Sequence, residues 1–238
     1  MIKSLKKRIQ RESFEPGLLG LIFNPFYFAR KGLFENLKKT GIYVTGKTLD
    51  VGCGTKPYEK LFSYSEYIGL EYDTGIDSEK KQADYYYDGK VFPFNNEEFD
   101  SVVTNQVLEH VFNPGEFLKE IHRVLKSNGK LLLTVPFVWD EHEQPYDYAR
   151  YSSFGLKHLL ESSGFKIIKS EKSTSDFRVI FQMVNGYLYK ISRNNFILKQ
   201  AVQLLLIFPL NIIGTIISFI LPGNKDLYLD NIIVAQKL

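Results

Sequence analysis

A chain of 238 residues with 30 Lys and Arg against 27 Asp and Glu is long enough for one large α/β domain with a sizeable core. The net charge of +3 is too small to imply a nucleic-acid partner, and no zinc-finger spacing or Arg-rich groove motif accompanies it. Cys53 is the only cysteine and the N-terminus lacks an unbroken apolar stretch, so the sequence predicts no intrachain disulfide, no signal peptide and a cytoplasmic protein.

Residues 1–12 set Lys3, Lys6, Lys7, Arg8 and Arg11 against Ile2, Leu5 and Ile9 at helical spacing, the pattern of a basic amphipathic helix. Such a helix suits either a solvated surface or an anionic membrane. Gly17 to Phe28 is rich in Gly, Pro and aromatic residues, and Ala29 to Lys39 has a helical pattern. Lys47 to Val51 is short and apolar and ends in Gly52-Cys53-Gly54; Tyr58, Leu61 and Phe62 follow at helical spacing. The unit predicted is strand, tight turn, helix. Tyr67 to Glu71 is a second buried strand, ending in an acid.

Phe99 to Asn105 predicts another strand, and Pro114 to Leu125 a helix with Phe117, Leu118, Ile121 and Leu125 on one face. Gly129 precedes the apolar run Leu131 to Val135. Ser152 to Ser163 is helical in pattern and stops at Gly164; Phe165 to Ile168 and Tyr228 to Ala235 are the last two strands. Strands alternating with helices predict an α/β fold, a Rossmann-like, doubly wound, mostly parallel sheet.

A strand that delivers Gly-x-Gly into a helix brings backbone N–H groups close to a ligand. The dinucleotide version needs a third glycine three residues later, and that position is Pro57. NAD is therefore disfavoured. Four segments, taken in order, resemble the class I S-adenosylmethionine (SAM) dependent methyltransferases, particularly the "type 11" group. They are Leu49-Asp50-Val51-Gly52-Cys53-Gly54; Ile68-Gly69-Leu70-Glu71; Asp88 with Phe92-Pro93-Phe94; and Phe99-Asp100 leading to Leu108-Glu109-His110-Val111.

The resemblance implies a seven-stranded sheet and SAM as cofactor, with no metal. It implies that Asp50, Gly52, Cys53 and Gly54 form the turn on the methionine end. Glu71 would accept from the ribose hydroxyls, Asp88 from the adenine amino group, with Phe92 walling the ring and Asn105 closing the strand beside it. Asp50 could equally cap the turn, and Asp88 could be an ordinary turn residue. Cys53 is expected to be a small filler.

Acceptor groups are expected after Leu131 to Val135, beyond the carboxyl ends of the strands. The loop Pro136 to Tyr151 packs four acids, one histidine, one arginine and several aromatics, among them Trp139, Tyr146 and Tyr148. His142 is the first candidate general base, because imidazole titrates near working pH; Asp140 and Glu143 are alternatives, as is His110. A purely structural role for His142 stays open. Arg150 could hold a phosphate or carboxylate of the acceptor, or pair with Asp147. Asp140, His142 and Asp147 match no metal-ligand spacing.

The run from His142 to Gly164-Phe165 looks like methyltransferases of bacterial surface-polysaccharide synthesis. That likeness implies a hydroxyl of a saccharide or lipid-linked saccharide as acceptor. An isoprenoid quinone and a non-catalytic assembly role are the alternatives.

The family's last two strands are joined by a short connection, whereas Ser173 and Tyr228 are far apart. From Ala201 to Leu221 no residue is charged. The length suits a membrane span, but one crossing would strand the last β-segment on the wrong side, and two need roughly 40 apolar residues. Pro209, Asn211 and Gly214 interrupt the run and predict two short helices. These would form an interfacial hairpin at the inner membrane face, with residues 1–12 and 196–221 in contact, or pack on protein, including a homodimer partner. The segments expected are a basic lid (1–46), a SAM-binding core (47–173), an apolar helical insertion (174–226) and the last strand (227–238).

Overall fold

The structure, a computed structural model, describes residues 11–73 and 81–238. The basic helix expected over residues 1–12 lies, up to Gln10, outside the described residues. Seven strands form one sheet: β1 (Thr45–Val51), β2 (Ser63–Tyr72), β3 (Tyr85–Tyr87), β4 (Phe99–Asn105), β5 (Leu125–Pro136), β6 (Phe165–Lys172) and β7 (Asp230–Lys237). Their order is β3-β2-β1-β4-β5-β7-β6, with β1 parallel to β2 and β4, β2 to β3, and β4 to β5. The bonds Ser173 N–H to Asp230 O and Leu238 N–H to Gly164 O run β7 antiparallel to β6. The doubly wound, mostly parallel sheet read from the sequence is the fold.

The central strands are apolar on both faces, as a sheet covered on both sides requires. In β4, Phe99, Val102 and Val103 are all buried. Helix α3 (Pro114–Val124) places proline in its first turn, where no N–H partner is lost, and buries Phe117, Leu118, Ile121 and Val124 along one stripe. Helix α4 (Ser153–Ser162) starts where the Ser152 hydroxyl accepts from the Gly155 N–H. It ends before Gly164, whose φ of +87° favours glycine.

Two expectations fail. No helix follows the glycine turn: Glu59–Leu61 is a single 3-10 turn. Lys56 adopts φ +51° and Pro57 follows, so the short connection to β2 cannot start a regular helix. Nor do Pro209, Asn211 and Gly214 split the apolar insertion into a hairpin. Helix α6 (Phe196–Val202), a π-helical turn (Gln203–Ile207) and helix α7 (Phe208–Ile220) run as one 25-residue helix. Across the π turn the Phe208 N–H donates to Gln203 O, and the chain passes Pro209, which has no N–H to donate, without breaking.

The chain divides into two compact units. The helical unit takes in the chain up to Asn36, Val138–Asp140 and Lys172–Asp230; the sheet unit takes in Leu37–Phe137, Glu141–Glu171 and Asn231–Leu238. Leu37 to Gly46 of the expected lid belong to the sheet unit, while residues Arg11–Asn36 and the apolar insertion, separate in sequence, belong to one unit. It holds α1 (Leu18–Phe23), most of α2 (Tyr27–Thr40), α5 (Arg178–Ser192) and the long helix. Side-chain amides tie it together. Asn211 Nδ2 donates to Leu21 O at 2.9 Å, Gln203 Nε2 to Ile22 O at 2.6 Å, Gln182 Nε2 to Pro25 O at 3.1 Å, and Asn185 Nδ2 to Asn211 Oδ1 at 2.9 Å.

Candidate active site

At the end of β1 the turn Gly52-Cys53-Gly54 depends on left-handed backbone. Gly52 has φ +73°, and a Cβ there would lie 2.4 Å from Val107 Cγ2. Gly52 N–H donates to Leu70 O at 2.8 Å, which pins the turn against β2. Gly54 has φ +50° and open space where a Cβ would project. Its N–H donates to Glu71 Oε2 at 2.9 Å, while Glu71 Oε1 pairs with Lys81 Nζ at 3.1 Å. Open backbone beside an anchored acid is a cradle that SAM would fit.

The other expected cofactor residues are placed as follows. Asp50 is buried, and its Oδ2 accepts from the Tyr67 hydroxyl at 2.8 Å. Burial pushes its carboxyl up to about 7, against the hydrogen bond from Tyr67 and the charge of Lys56. Burial likewise pushes the Cys53 thiol up to about 12, which leaves it no thiolate at neutral pH. Asn105 Oδ1 accepts from the Thr134 hydroxyl at 2.5 Å. Asp88 is exposed and its Oδ1 accepts from the Lys90 N–H at 3.0 Å, so the turn use left open for it is formed. Phe92 is in the core between Tyr87 and Phe117, at ring separations of 5.0 and 5.9 Å.

The second cluster lies beyond β4 and β5. After β4 the 3-10 turn Leu108–His110 buries Glu109 completely. The Glu109 carbonyl accepts from the Tyr148 and Ala149 N–H groups at 2.8 and 3.3 Å, which fastens the β5 loop to this turn. His110 Nδ1 is 2.8 Å from Tyr146 O, and its ring meets that of His142 edge-on at 4.8 Å. Of the two uses open for Arg150, pairing with Asp147 is the one formed. It is bidentate, at 2.6 and 2.7 Å.

Asp147 Oδ2 also accepts from the His142 N–H at 2.9 Å and lies 3.2 Å from His142 Nδ1. Burial would raise the Asp147 carboxyl, but Arg150 and the His142 N–H outweigh it and hold it at about 2. An imidazole beside an ionised carboxylate is held in one orientation, and Arg150 Nη2 lies 3.4 Å from the same Nδ1. Glu109, His110 and His142 bring one possible ligand atom each within 4.8 Å of one another. That spread is wider than the roughly 3.4 Å between ligands on one tetrahedral zinc.

Tyr146 and Tyr148 are exposed on the same loop, Tyr148 edge-on to Phe112 at 5.3 Å. Trp139 and Asp140 belong to the helical unit: Trp139 packs on Phe26 at 5.7 Å, and Asp140 Oδ2 pairs with Lys190 Nζ at 2.7 Å. Sequence reading missed four participants. Tyr67 and Lys56 serve Asp50; Asp84 accepts from the Gly69 N–H at 2.7 Å and pairs with Lys56 at 2.5 Å; and Asp147 was noted as a partner for Arg150 and weighed as a metal ligand, but not as a partner for His142. Only the density of charged residues in the loop hinted at Asp147.

A mostly parallel sheet of this order, with a glycine turn after its first strand and an acid near the end of its second, is an α/β arrangement shared with folds that bind nucleoside cofactors. Residues 49–133 match the family described as Methyltransferase domain. "Uncharacterized protein MJ0638" of Methanocaldococcus jannaschii is 31% identical over 181 residues, covering 71% of this chain and 76% of that protein. A Mycolicibacterium smegmatis protein named a probable S-adenosylmethionine-dependent methyltransferase is 26% identical over 132 residues, covering 50% of this chain and 51% of that one. The structure of Haemonchus contortus phosphoethanolamine N-methyltransferase 2 in complex with S-adenosyl-L-methionine superimposes with a TM-score of 0.56 at 19% identity. It covers 96% of this chain and 57% of the other, and shows likeness of fold.

The chain belongs to the class I SAM-dependent methyltransferases, and its cofactor is SAM.

Proposed function

We propose that this methyltransferase transfers the methyl group of SAM to a hydroxyl of a saccharide or lipid-linked saccharide, with His142 as the general base, at the cytoplasmic face of a membrane. One observation supports this reading above the others: His142 stands against an Asp147 carboxylate that Arg150 keeps ionised. SAM supplies an electrophilic methyl on a sulfonium, so the chain's work is to align an acceptor and remove its proton. In the tautomer that donates Nδ1–H to Asp147, His142 is a neutral imidazole able to take that proton at Nε2. Glu71 is proposed to hold the ribose diol, and Asp50 to face the methionine ammonium. Tyr146 and Tyr148 offer exposed ring faces on which a sugar can stack.

An isoprenoid quinone phenol is the second reading, favoured by the long apolar helix. The nematode structure cited above is titled a phosphoethanolamine N-methyltransferase, so an amine belongs among the acceptors to be tried. The test is methyl transfer from labelled SAM to sugars, polyprenyl-linked sugars, quinone precursors and phosphoethanolamine. Transfer to a sugar, lost about 10²-fold or more in His142→Ala with SAM affinity kept, is the expected result. Transfer confined to quinone precursors or phosphoethanolamine moves the function there. If His110→Ala shows that loss while His142→Ala turns over normally, the base is His110. SAM binding without turnover on any acceptor supports the assembly role.

A further inference from the structure

In a helix at the surface of a water-soluble unit, apolar residues face inward and polar ones outward. The Phe196–Ile220 helix is reversed. Its buried positions include Gln203, Ile207, Asn211 and Gly214, one stripe at helical spacing, and the two amides on it are bonded to backbone carbonyls of Leu21 and Ile22. Its outward positions are large and apolar: Phe219 is 86% exposed, Phe196 77% and Leu205 72%. Helix α5 repeats the inversion. Gln182 and Asn185 are buried, whereas Ile180, Val184, Tyr187 and Ile191, spaced as one stripe, are exposed. Exposed apolar surface on this scale has a partner.

Charge selects the partner. From Phe177 to Lys225 there is no Asp or Glu; Arg178 and Lys190 pair with Asp176 and Asp140, and Arg193, Lys199 and Lys225 add three further positive charges. Two copies meeting through such surfaces would bring like charges together, whereas an anionic headgroup layer neutralises them. The buried amides fix one side of the long helix to protein, so it cannot be surrounded by lipid as a spanning helix is. We infer that the outward face of Phe196–Ile220 inserts into one leaflet of an anionic bilayer, lying in its interface with Phe219, Leu205 and Phe196 among the acyl chains. At 1.5 Å per residue the helix covers about 37 Å of that surface, and insertion to about 5–10 Å immerses one face only. This inference deepens the membrane location proposed above, and it stands on the helix alone whatever the acceptor proves to be.

The experiment is flotation of the full chain with phosphatidylcholine vesicles containing or lacking phosphatidylglycerol. Expected is binding that rises at least tenfold with the anionic lipid and falls at 0.5 M salt. The double variant Leu205→Glu, Phe219→Glu, at largely exposed positions, loses that binding at least tenfold while SAM affinity measured by calorimetry stays as in the parent. Lys199→Glu with Arg193→Glu weakens binding to anionic vesicles and leaves the weak binding to neutral ones unchanged. No vesicle binding by the parent chain, with a dimer in analytical ultracentrifugation that the Leu205 and Phe219 changes dissociate, overturns the inference in favour of a second copy. No vesicle binding by a monomer overturns it outright. Neither outcome touches methyl transfer, which is measured separately on soluble acceptors.

Discussion

Asp50 and Asp147 are both withdrawn from water, and their neighbours send them to opposite ends of the carboxylate range. Asp147 gains a bidentate guanidinium and a backbone N–H and is held at about 2. It therefore adds stability that is present above about pH 4 and is lost as the pH falls through about 2. Asp50 has the Tyr67 hydroxyl as donor and feels the charge of Lys56, which itself pairs with Asp84, and burial lifts it to about 7. Stability from its protonated form is present below about pH 4 and is lost as the pH rises through about 7. Asp50→Asn keeps an oxygen for the Tyr67 hydroxyl and removes the buried charge. It should match the parent at pH 4 and exceed it above pH 7, by an amount on the order of 4 kcal/mol at the limit. Urea unfolding of the SAM-free protein at the two pH values checks this, and an equal difference at both means that the ionised carboxylate is not strained. SAM affinity in the variant should drop, since the ammonium loses its anion.

At the scale of elements, the long helix shows how polar groups decide where an apolar segment goes. Asn211 Nδ2 donates to Leu21 O and its Oδ1 accepts from Asn185 Nδ2, so one side chain joins α7, α5 and α1. Asn211→Leu removes those bonds from buried partners and should cost about 1–3 kcal/mol of stability in urea unfolding. Unchanged stability would mean that the amide network does not hold the helix in place. Sequence and structure part company in this same element. Pro209, Asn211 and Gly214 look like breakers in a one-dimensional pattern. In three dimensions Pro209 sits just past a π turn, Asn211 is an anchor, and Gly214 lets Phe28 and Phe181 approach, since a Cβ there would fall 2.8 and 3.0 Å from their rings.

For the whole molecule, cofactor binding and stability are linked, because SAM binds the folded chain alone. Saturation at 100 times the dissociation constant should stabilise the protein by about 2.7 kcal/mol. Glu71→Ala should reduce SAM affinity by roughly 1.5–3 kcal/mol in calorimetry and shrink the SAM-induced rise in melting temperature in parallel. An unaltered rise would remove Glu71 from the cradle, and with it the ribose contact. The Gly54 N–H also loses its acceptor in this variant, so a small drop in cofactor-free stability accompanies the effect.

The three-residue strand β3 (Tyr85–Tyr87) was not read, but the sequence by itself determined the other six of the seven strands, the position of the glycine turn and the acid near the end of β2. These depend on local periodicity and on residue types whose backbone demands are rigid, and β4, with bounds read at Phe99 and Asn105, shows how sharply. It also placed His110, His142 and Arg150 in loops at the correct ends of strands. Only the tertiary structure decided that Asp147 faces His142, that Arg150 belongs to Asp147, and that Phe92 fills the core. Each of these depends on which side chains converge across segments that sequence spacing does not relate. The same holds for the apolar insertion. Its composition is legible, but whether the run breaks or continues was settled by a π turn and by amide bonds to Leu21 and Ile22, roughly 180 residues away.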